Sequence, residues 1–535
     1  MTAYLRQRIS GILFGAVTLL AAFLLVRGLV GAPAYTDAHY HFNAAQRFAA
    51  GDGLTDTYLW TYFGSPETYN GSQPLPSHLY WMPLTSVLSG LSMGLLGNTY
   101  VIAQIPLIFC VAGAACISYR LGFRLGGTRR TAWCAGLIAV SGGFFARFWG
   151  TIDTFALMAL VGSLGLYLLG KGLDSLKNEP SASRLSIWLL VGCAAALGHL
   201  IRPDGLLLLL TGWTVLFWAM IRDRRWKKPL LAGLMLVVGY IAVMSLWFVR
   251  NLFDTGAILP VGGLQSIWFT EYNDLFNYPP SASFTNFWNL GGIGFFLSTR
   301  WQAFAGADGL LSGNLGTFIA VEGIVIMAPL MLIGLWRRRR QSFLAPFWIY
   351  ALGLHVAMTL VFPFPGARGG LFHGAAALWP WWAALGVLGC EDAVRWMAKR
   401  RKSWNLRVAT RIFTFALVGY AVFLSLMIGT RGIVPPTTVV PRFYAELDAM
   451  LPENARVLIN DPAALYYFTG RGGAVVPNSS PDVIRELADR YDLDFVVFER
   501  SGLPSPMFEA WDNPPVFLTP IEFNQPGAKL YAIVR

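Results

Sequence analysis

The segment Thr36–Gly53, TDAHYHFNAAQRFAAGDG, gathers two histidines, two acids and an arginine directly after the first apolar stretch of the chain. Thr36 or Asp37 can cap a helix that runs to Ala50 and stops at Gly51. On such a helix Asp37, His41, Ala44 and Phe48 share one face, while His39 points away. An acid and an imidazole one turn apart can serve as a base and its partner, or as two ligands of a metal. The same spacing also suits a capping aspartate flanked by interfacial histidines.

Other polar groups recur between apolar segments. Asp153 follows Arg147 in RFWGTIDTF, and Arg202 and Asp204 share the tight turn of HLIRPDG. Arg250 and Asn251 close an apolar run in WFVRNLFDTG, and Arg368 and His373 lie in PGARGGLFHGAAALWP. Charges at a bilayer edge are costly unless paired or working. Each taken singly reads as a topology anchor or a structural pair. Together, on one face, they favour an anionic ligand.

The elements that must position these residues are membrane spans. The chain has 535 residues, 55% hydrophobic and 13% charged, with mean hydropathy +0.50. A soluble fold carries roughly a quarter charged residues. Apolar runs of about 20 residues, long enough to cross a bilayer, recur throughout. The spans are expected near 9–29, 98–120, 131–148, 154–171, 186–201, 205–221, 229–249, 317–336, 343–362, 373–390 and 412–430, eleven in all. The net charge of +12 does not signal nucleic acid, because the basic residues cluster between spans. Those clusters are Arg6/Arg8; Arg120 to Arg130; Lys171, Lys177 and Arg184; Arg222 to Lys228; the RRRR run at 337–340; and Arg395 to Arg411. All fall on one side if the spans alternate, which places the N-terminus in the cytoplasm and the C-terminus outside. The first run reads as a retained span rather than a removed signal peptide. The five cysteines all lie in or beside apolar segments and read as small core residues, not a disulfide framework.

Two expected domains follow: a transmembrane unit, residues 1–431, with outer loops at 30–97 and 250–316, and a soluble α/β unit at 432–535. In the latter, RVLIN, GAVVP, DFVVFER and KLYAIVR read as strands, alternating with helices in FYAELDAML and PDVIRELADRY. NDPAALYYFTG reads as a packing loop before a recognition loop.

The order DAHYHFNAAQRFAAGDG, HLYWMPL, LGFRLGG, DTF, RPDG, RN and RGGLFHGAAALWP resembles the GT-C superfamily of polyprenyl-phosphate-sugar-dependent glycosyltransferases. Its bacterial protein mannosyltransferase and aminoarabinose-transferase branch (glycosyltransferase family 39 type) is the nearest in pattern. The resemblance covers essentially the whole chain and implies a polytopic α-helical GT-C fold with a small extracytoplasmic α/β domain at its C-terminus. It further implies a multi-pass protein of the cytoplasmic membrane. Such an enzyme moves a sugar from a polyprenyl-phosphate donor to a protein, lipid or glycan acceptor at the outer face, with inversion. By this resemblance Asp37 is the catalytic general base and Asp153 a second catalytic acid that orients the acceptor or Asp37. Arg202, Arg250 and Arg368, with His373, are expected at the donor phosphate, and His39, His41 and Asp204 complete the expected substrate contacts. Asp37 is followed by Ala38 where the eukaryotic branch has a second acid, so His39 and His41 are not accounted for by that branch. No complete ligand set is visible, so metal use is unknown and a divalent ion stays open; membrane lipids are the other expected partners, nucleic acid is not. A transporter or flippase of a lipid-linked or anionic substrate is the alternative, and it predicts midplane charges and repeated halves. A non-catalytic assembly or sensor protein would leave the clustered acids and arginines without a role.

Overall fold

The computed structural model describes residues 3–63, 74–176, 182–224, 226–259, 263–309, 311–401, 403–437 and 439–535. Of the basic residues used above to orient the chain, Lys177, Arg225 and Lys402 lie outside these. Helix α1 (Ala3–Leu29) is followed by α2 (Thr36–Ala50), which stops at Gly51 in the left-handed region (φ 93°). Next come α3 (Leu84–Leu96), α4 (Ile105–Gly126), α5 (Arg129–Ser141) and α6 (Phe155–Ser175). Then α7 (Ala182–Ile201), α8 (Leu206–Asp223), α9 (Lys227–Thr255), α10 (Gly292–Ala305), α11 (Met327–Arg338), α12 (Ala345–Val356), α13 (Trp379–Ala398) and α14 (Leu406–Arg431) complete the helical body.

Eight of the expected spans are single helices long and apolar enough to cross a membrane. Two are broken: Asn314–Glu322 meets α11 at 90°, and Pro363–Ala375 meets α13 at 68°. The expected span 131–148 is shorter than its apolar stretch suggests. Gly142 and Gly143 adopt φ of 87° and 57°, which end α5 and start the 3-10 turn Gly143–Phe148. That turn brings the chain back toward Asp153 instead of continuing a helix. All residues of α13 from Trp379 to Asp392 are buried, so this helix is the hub against which the others pack. The acids at its end are neutralised by partners: Glu391 by Arg130 at 2.9 Å, Asp392 by Arg338 at 2.7 Å. All five cysteines are free.

The C-terminal unit holds a six-stranded mixed sheet in the order β2-β5-β4-β6-β8-β7. Its strands β4 (Val457–Ile459), β5 (Gly473–Val475), β6 (Phe495–Glu499) and β8 (Ala528–Ile533) are those read from the sequence. So are its helices α15 (Arg442–Met450) and α17 (Val483–Tyr491); between them α16 (Pro462–Thr469) forms in NDPAALYYFTG. Strand β7 (Leu518–Ile521) was not expected. It contains Pro520 opposite Tyr531, and proline's missing donor is tolerated there because β7 is an edge strand. The opposite edge comes from far away in sequence. In the first loop β1 (Thr55–Asp56) pairs with β3 (Leu75–Pro76), and β2 (Tyr58–Leu59) pairs parallel to β5. One sheet edge is therefore supplied by the membrane unit, and Tyr62 Oη donating to the Val475 carbonyl at 2.5 Å extends the seam.

Candidate active site

Helix α2 lies between the membrane helices and the C-terminal unit. It begins one residue earlier than a Thr36 cap requires: Tyr35 is the N-cap, and no side chain caps the helix. The Thr36 hydroxyl is spent elsewhere, donating to Asp461 Oδ2 at 2.7 Å, while Asp461 Oδ1 accepts from the Ala464 amide and starts α16. Neither expected capping residue caps, because the soluble unit takes one and a cleft takes the other.

That cleft joins Asp37 to Asp153 and His373. One ligand atom from each lies within 4.8 Å of the other two. Asp153 is buried; its Oδ2 accepts from Tyr35 Oη at 2.7 Å and its Oδ1 from the Thr154 amide. His373 Nδ1 stands 3.7 Å from Asp153 Oδ1 and 3.1 Å from Thr154 Oγ1, with its ring stacked on Phe155 at 4.1 Å. Burial, then the facing Asp153 charge, push the Asp37 carboxyl up to about 7, against Arg202 and a hydrogen bond from Trp81. For Asp153 burial acts in the same upward direction, but the His373 and His41 imidazoles and the two donors outweigh it and hold its carboxyl below the usual range. Two like charges this close in a low dielectric do not both ionise freely, and the pair separates into one ready acid and one standing anion.

Arginines close the cleft. Arg202 Nε pairs with Asp204 Oδ1 at 2.7 Å, and its Nη2 reaches the Gly370 carbonyl at 3.4 Å, tying the α7–α8 turn to the segment that carries Arg368 and His373. Asp204 Oδ2 is buried without a hydrogen-bond partner and lies where a side chain at position 374 would have to go, 2.5 Å from a Cβ placed on Gly374. Arg368 stacks on Tyr272 at 4.4 Å, and Tyr272 and Tyr80 both feel the Asp37 charge.

His41 is fully buried, one turn along from Asp37, and burial drives its imidazole down to about 4, so the ring is neutral near pH 7. Its Nδ1 is 2.9 Å from Ser86 Oγ, which is 3.0 Å from His78 Nε2; His78 Nδ1 is 2.7 Å from Ser77 Oγ. The serine carries a single proton, so the chain has two alternating patterns of donation, and each fixes the tautomer of His41. His41 Nε2 has no hydrogen-bond partner and senses Asp153 and Arg202.

His39 and Arg250 lie elsewhere. His39 packs on Tyr467 and Phe468 of the soluble unit at 5.1 and 5.7 Å, because it occupies the opposite face of α2. Arg250 pairs with Asp254 at 2.6 Å and donates to the Leu54 carbonyl at 3.0 Å, bracing the first loop. Sequence reasoning missed Tyr35, Trp81, His78, Ser86, Tyr272 and Asp461. Of these His78 and Trp81 had a signal in HLYWMPL, and Asp461 one in NDPAALYYFTG.

No protein-family model matches the chain, and no curated protein does. Solved structures match over nearly its whole length, and this chain shares their fold, the GT-C fold. One is the archaeal oligosaccharyltransferase AglB from Archaeoglobus fulgidus, in complex with an inhibitory peptide and a dolichol-phosphate. It aligns with TM-score 0.62 at 12% identity, covering 99% of this chain and 74% of that one. Another is ArnT from Cupriavidus metallidurans bound to undecaprenyl phosphate, with TM-score 0.53 at 14% identity and 97% of each chain covered.

Proposed function

We propose that the protein is a membrane glycosyltransferase that moves a sugar from a polyprenyl phosphate to an acceptor hydroxyl, with inversion. The observation that carries this reading is the convergence of Asp37, Asp153 and His373 within 4.8 Å of one another in a cleft edged by Arg202. The positive-inside rule puts the arginine-rich helix ends in the cytoplasm, so the cleft opens on the extracytoplasmic face of the plasma membrane. A donor with a long prenyl tail stays in the bilayer, and a cleft at the membrane face meets its head.

In this mechanism Asp37, with its carboxyl near 7, takes the proton of the acceptor hydroxyl as the oxygen attacks the anomeric carbon. The bond to the phosphate oxygen breaks on the opposite side, and the lipid phosphate leaves with the electron pair. Arg202 and Arg368 face the growing phosphate charge, and a guanidinium fork suits phosphate geometry. Asp204 keeps Arg202 in place. Asp153, held by Tyr35 and Thr154, orients the pair, and His41 Nε2 binds a substrate hydroxyl. Arg250 and His39 position the first loop and the soluble unit.

Asp37, Asp153 and His373 would also hold a divalent cation, since two carboxylate oxygens and an imidazole nitrogen converge within 4.8 Å. When bound it would supply Lewis-acid stabilisation of the phosphate. The test uses protein in lipid nanodiscs, a panel of radiolabelled polyprenyl-phosphate sugars, and wild type beside Asp37→Asn, before and after chelation. Turnover of one donor by wild type and its loss in Asp37→Asn is the expected result. Equal turnover in both removes Asp37 from the chemistry. Binding without turnover, with movement of the lipid between leaflets, favours the transporter, whose supporting feature is buried Glu322 facing half-buried His355 at 3.0 Å beside a broken span.

A further inference from the structure

At the arginine-rich ends of the helices, far from the cleft, α11, α12 and α13 line an open groove of about 1110 Å³. Helix α11 packs backbone to backbone on α13: a Cβ on Gly334 would meet the Leu385 carbonyl at 2.1 Å, and one on Gly389 the Leu330 carbonyl at 1.8 Å. Helix α12 is not drawn in at this level. It is tied to the segment preceding α11 near their other ends, where His355 meets Glu322. Below that tie the helices leave a wedge whose walls are Leu332, Leu335 and Trp336 of α11, Trp348 of α12, and Ala393 and Trp396 of α13.

The chemistry of the wedge changes from bottom to rim. Its walls are apolar, and the acid among them, Asp392, is already paired with Arg338 at 2.7 Å and with Arg395. Three tryptophans line it, Trp336 at 66%, Trp396 at 47% and Trp348 at 40% exposure, and such amphipathic rings favour the headgroup region. Two of them carry a guanidinium on the ring: Arg339 over Trp336 and Arg400 over Trp396, each at 3.8 Å. Arg337 also lines the groove, is exposed and has no ion pair or hydrogen bond among the described residues. The rim is therefore cationic and uncompensated on both sides of an apolar slot.

We infer that this groove is a binding site for one anionic phospholipid of the cytoplasmic leaflet. Its phosphodiester sits among Arg337, Arg339 and Arg400, and its acyl chains fill the wedge between α11 and α12. A zwitterionic lipid brings its own cation to a rim that has no free acid, and gains less.

The experiment is native mass spectrometry of the full chain in detergent, titrated with dioleoyl-phosphatidylglycerol or dioleoyl-phosphatidylcholine. Wild type is expected to retain one phosphatidylglycerol and to release phosphatidylcholine. Arg337→Gln with Arg339→Gln should weaken that retention on the order of thirtyfold, as two interfacial charges imply. Ala393→Phe, which fills the slot and leaves the charges, should also abolish it. Arg407→Gln with Arg411→Gln, exposed at the start of α14 and outside the groove, should leave it unchanged. Equal retention of the two lipids by wild type, unaltered retention in the groove variants, or an equal loss in the α14 variant would each overturn the assignment.

Discussion

Asp37→Asn separates a working acid from a capping one, because the two roles predict opposite changes in stability. A first-turn aspartate that supported α2 would lose roughly 0.3–1 kcal/mol of dipole stabilisation on replacement. The structure predicts a gain. The carboxyl rises from 3.8 to about 7 on folding, chiefly through burial and then through Asp153. A carboxyl with a raised folded pKa binds its proton more tightly in the native state, so its cost is absent below pH 3.8 and complete above about 7. A rise from 3.8 to about 7 corresponds to roughly 4 kcal/mol, a ceiling because the side chain reaches the cleft. At pH 5 the same relation leaves under about 2 kcal/mol. Asparagine avoids the cost at every pH and can still accept from Trp81. Thermal unfolding of wild type and Asp37→Asn in the same nanodiscs should show the variant more stable at pH 8.5, with the difference shrinking toward pH 5. Transfer activity should be lost in the same preparation. A variant less stable than wild type at pH 8.5, or a difference independent of pH, would refute the argument and return Asp37 to the helix terminus.

Further outcomes follow from the same geometry. The transfer rate, kcat/KM against pH, should climb through about pH 7 as Asp37 gives up its proton; a flat profile from pH 5.5 to 8.5 counts against it as the base. Ser86→Ala should lower kcat roughly tenfold with donor KM little changed, because His41 loses the partner that fixes its tautomer, and Ser86→Thr should restore most of the rate. Arg202→Lys should raise the donor KM at least about tenfold through loss of the planar fork. Arg250→Lys should leave KM alone and lower Tm, since its contacts brace the first loop. Asp461→Asn can keep its oxygen on the Ala464 amide and turn its Nδ2 to donate to Thr36 Oγ1, but it removes a charge that lifts Asp37, so the midpoint of the pH–rate profile should move to lower pH.

The helical body was legible because hydropathy along the chain is a strong local signal, and the alternating arginine clusters set the ends of the helices. Broken spans were less legible. Nothing in the apolar content of 317–336 announces the 90° bend, which arises where Ile324 and Val325 take φ of 37° and 61°. Asp37, Asp153, Arg202 and His373, which the structure brings near one another, stand out in the sequence because the loops on that side of the spans are otherwise poor in charge. Tyr35, Ser86 and Tyr272 are ordinary residue types whose role depends on neighbours far away in the chain. Strand β2 was invisible for the same reason: two residues carry no periodicity, and their partner β5 lies more than four hundred positions along.

That distant pairing explains how a strained site is held. Asp37 begins a helix whose dipole favours a carboxylate, yet its proton affinity is raised, so burial and neighbouring acids must win. Asp153 comes from the α5–α6 connection and is oriented by Tyr35, the residue that starts α2. Asp461 comes from the soluble unit and grips Thr36, the next residue along. The N-terminus of α2 is thus pinned from the membrane side and from the soluble side at adjacent positions, with Asp37 immediately after. Strand β2, the Tyr62–Val475 bond, and Tyr278 Oη donating to Glu486 at 2.6 Å keep the two units from separating. A soluble domain tethered only through residues 432–441 could swing away and let water lower the Asp37 pKa. A domain that borrows its edge strand from the first loop, the loop that carries Asp37, cannot do so without breaking its own sheet.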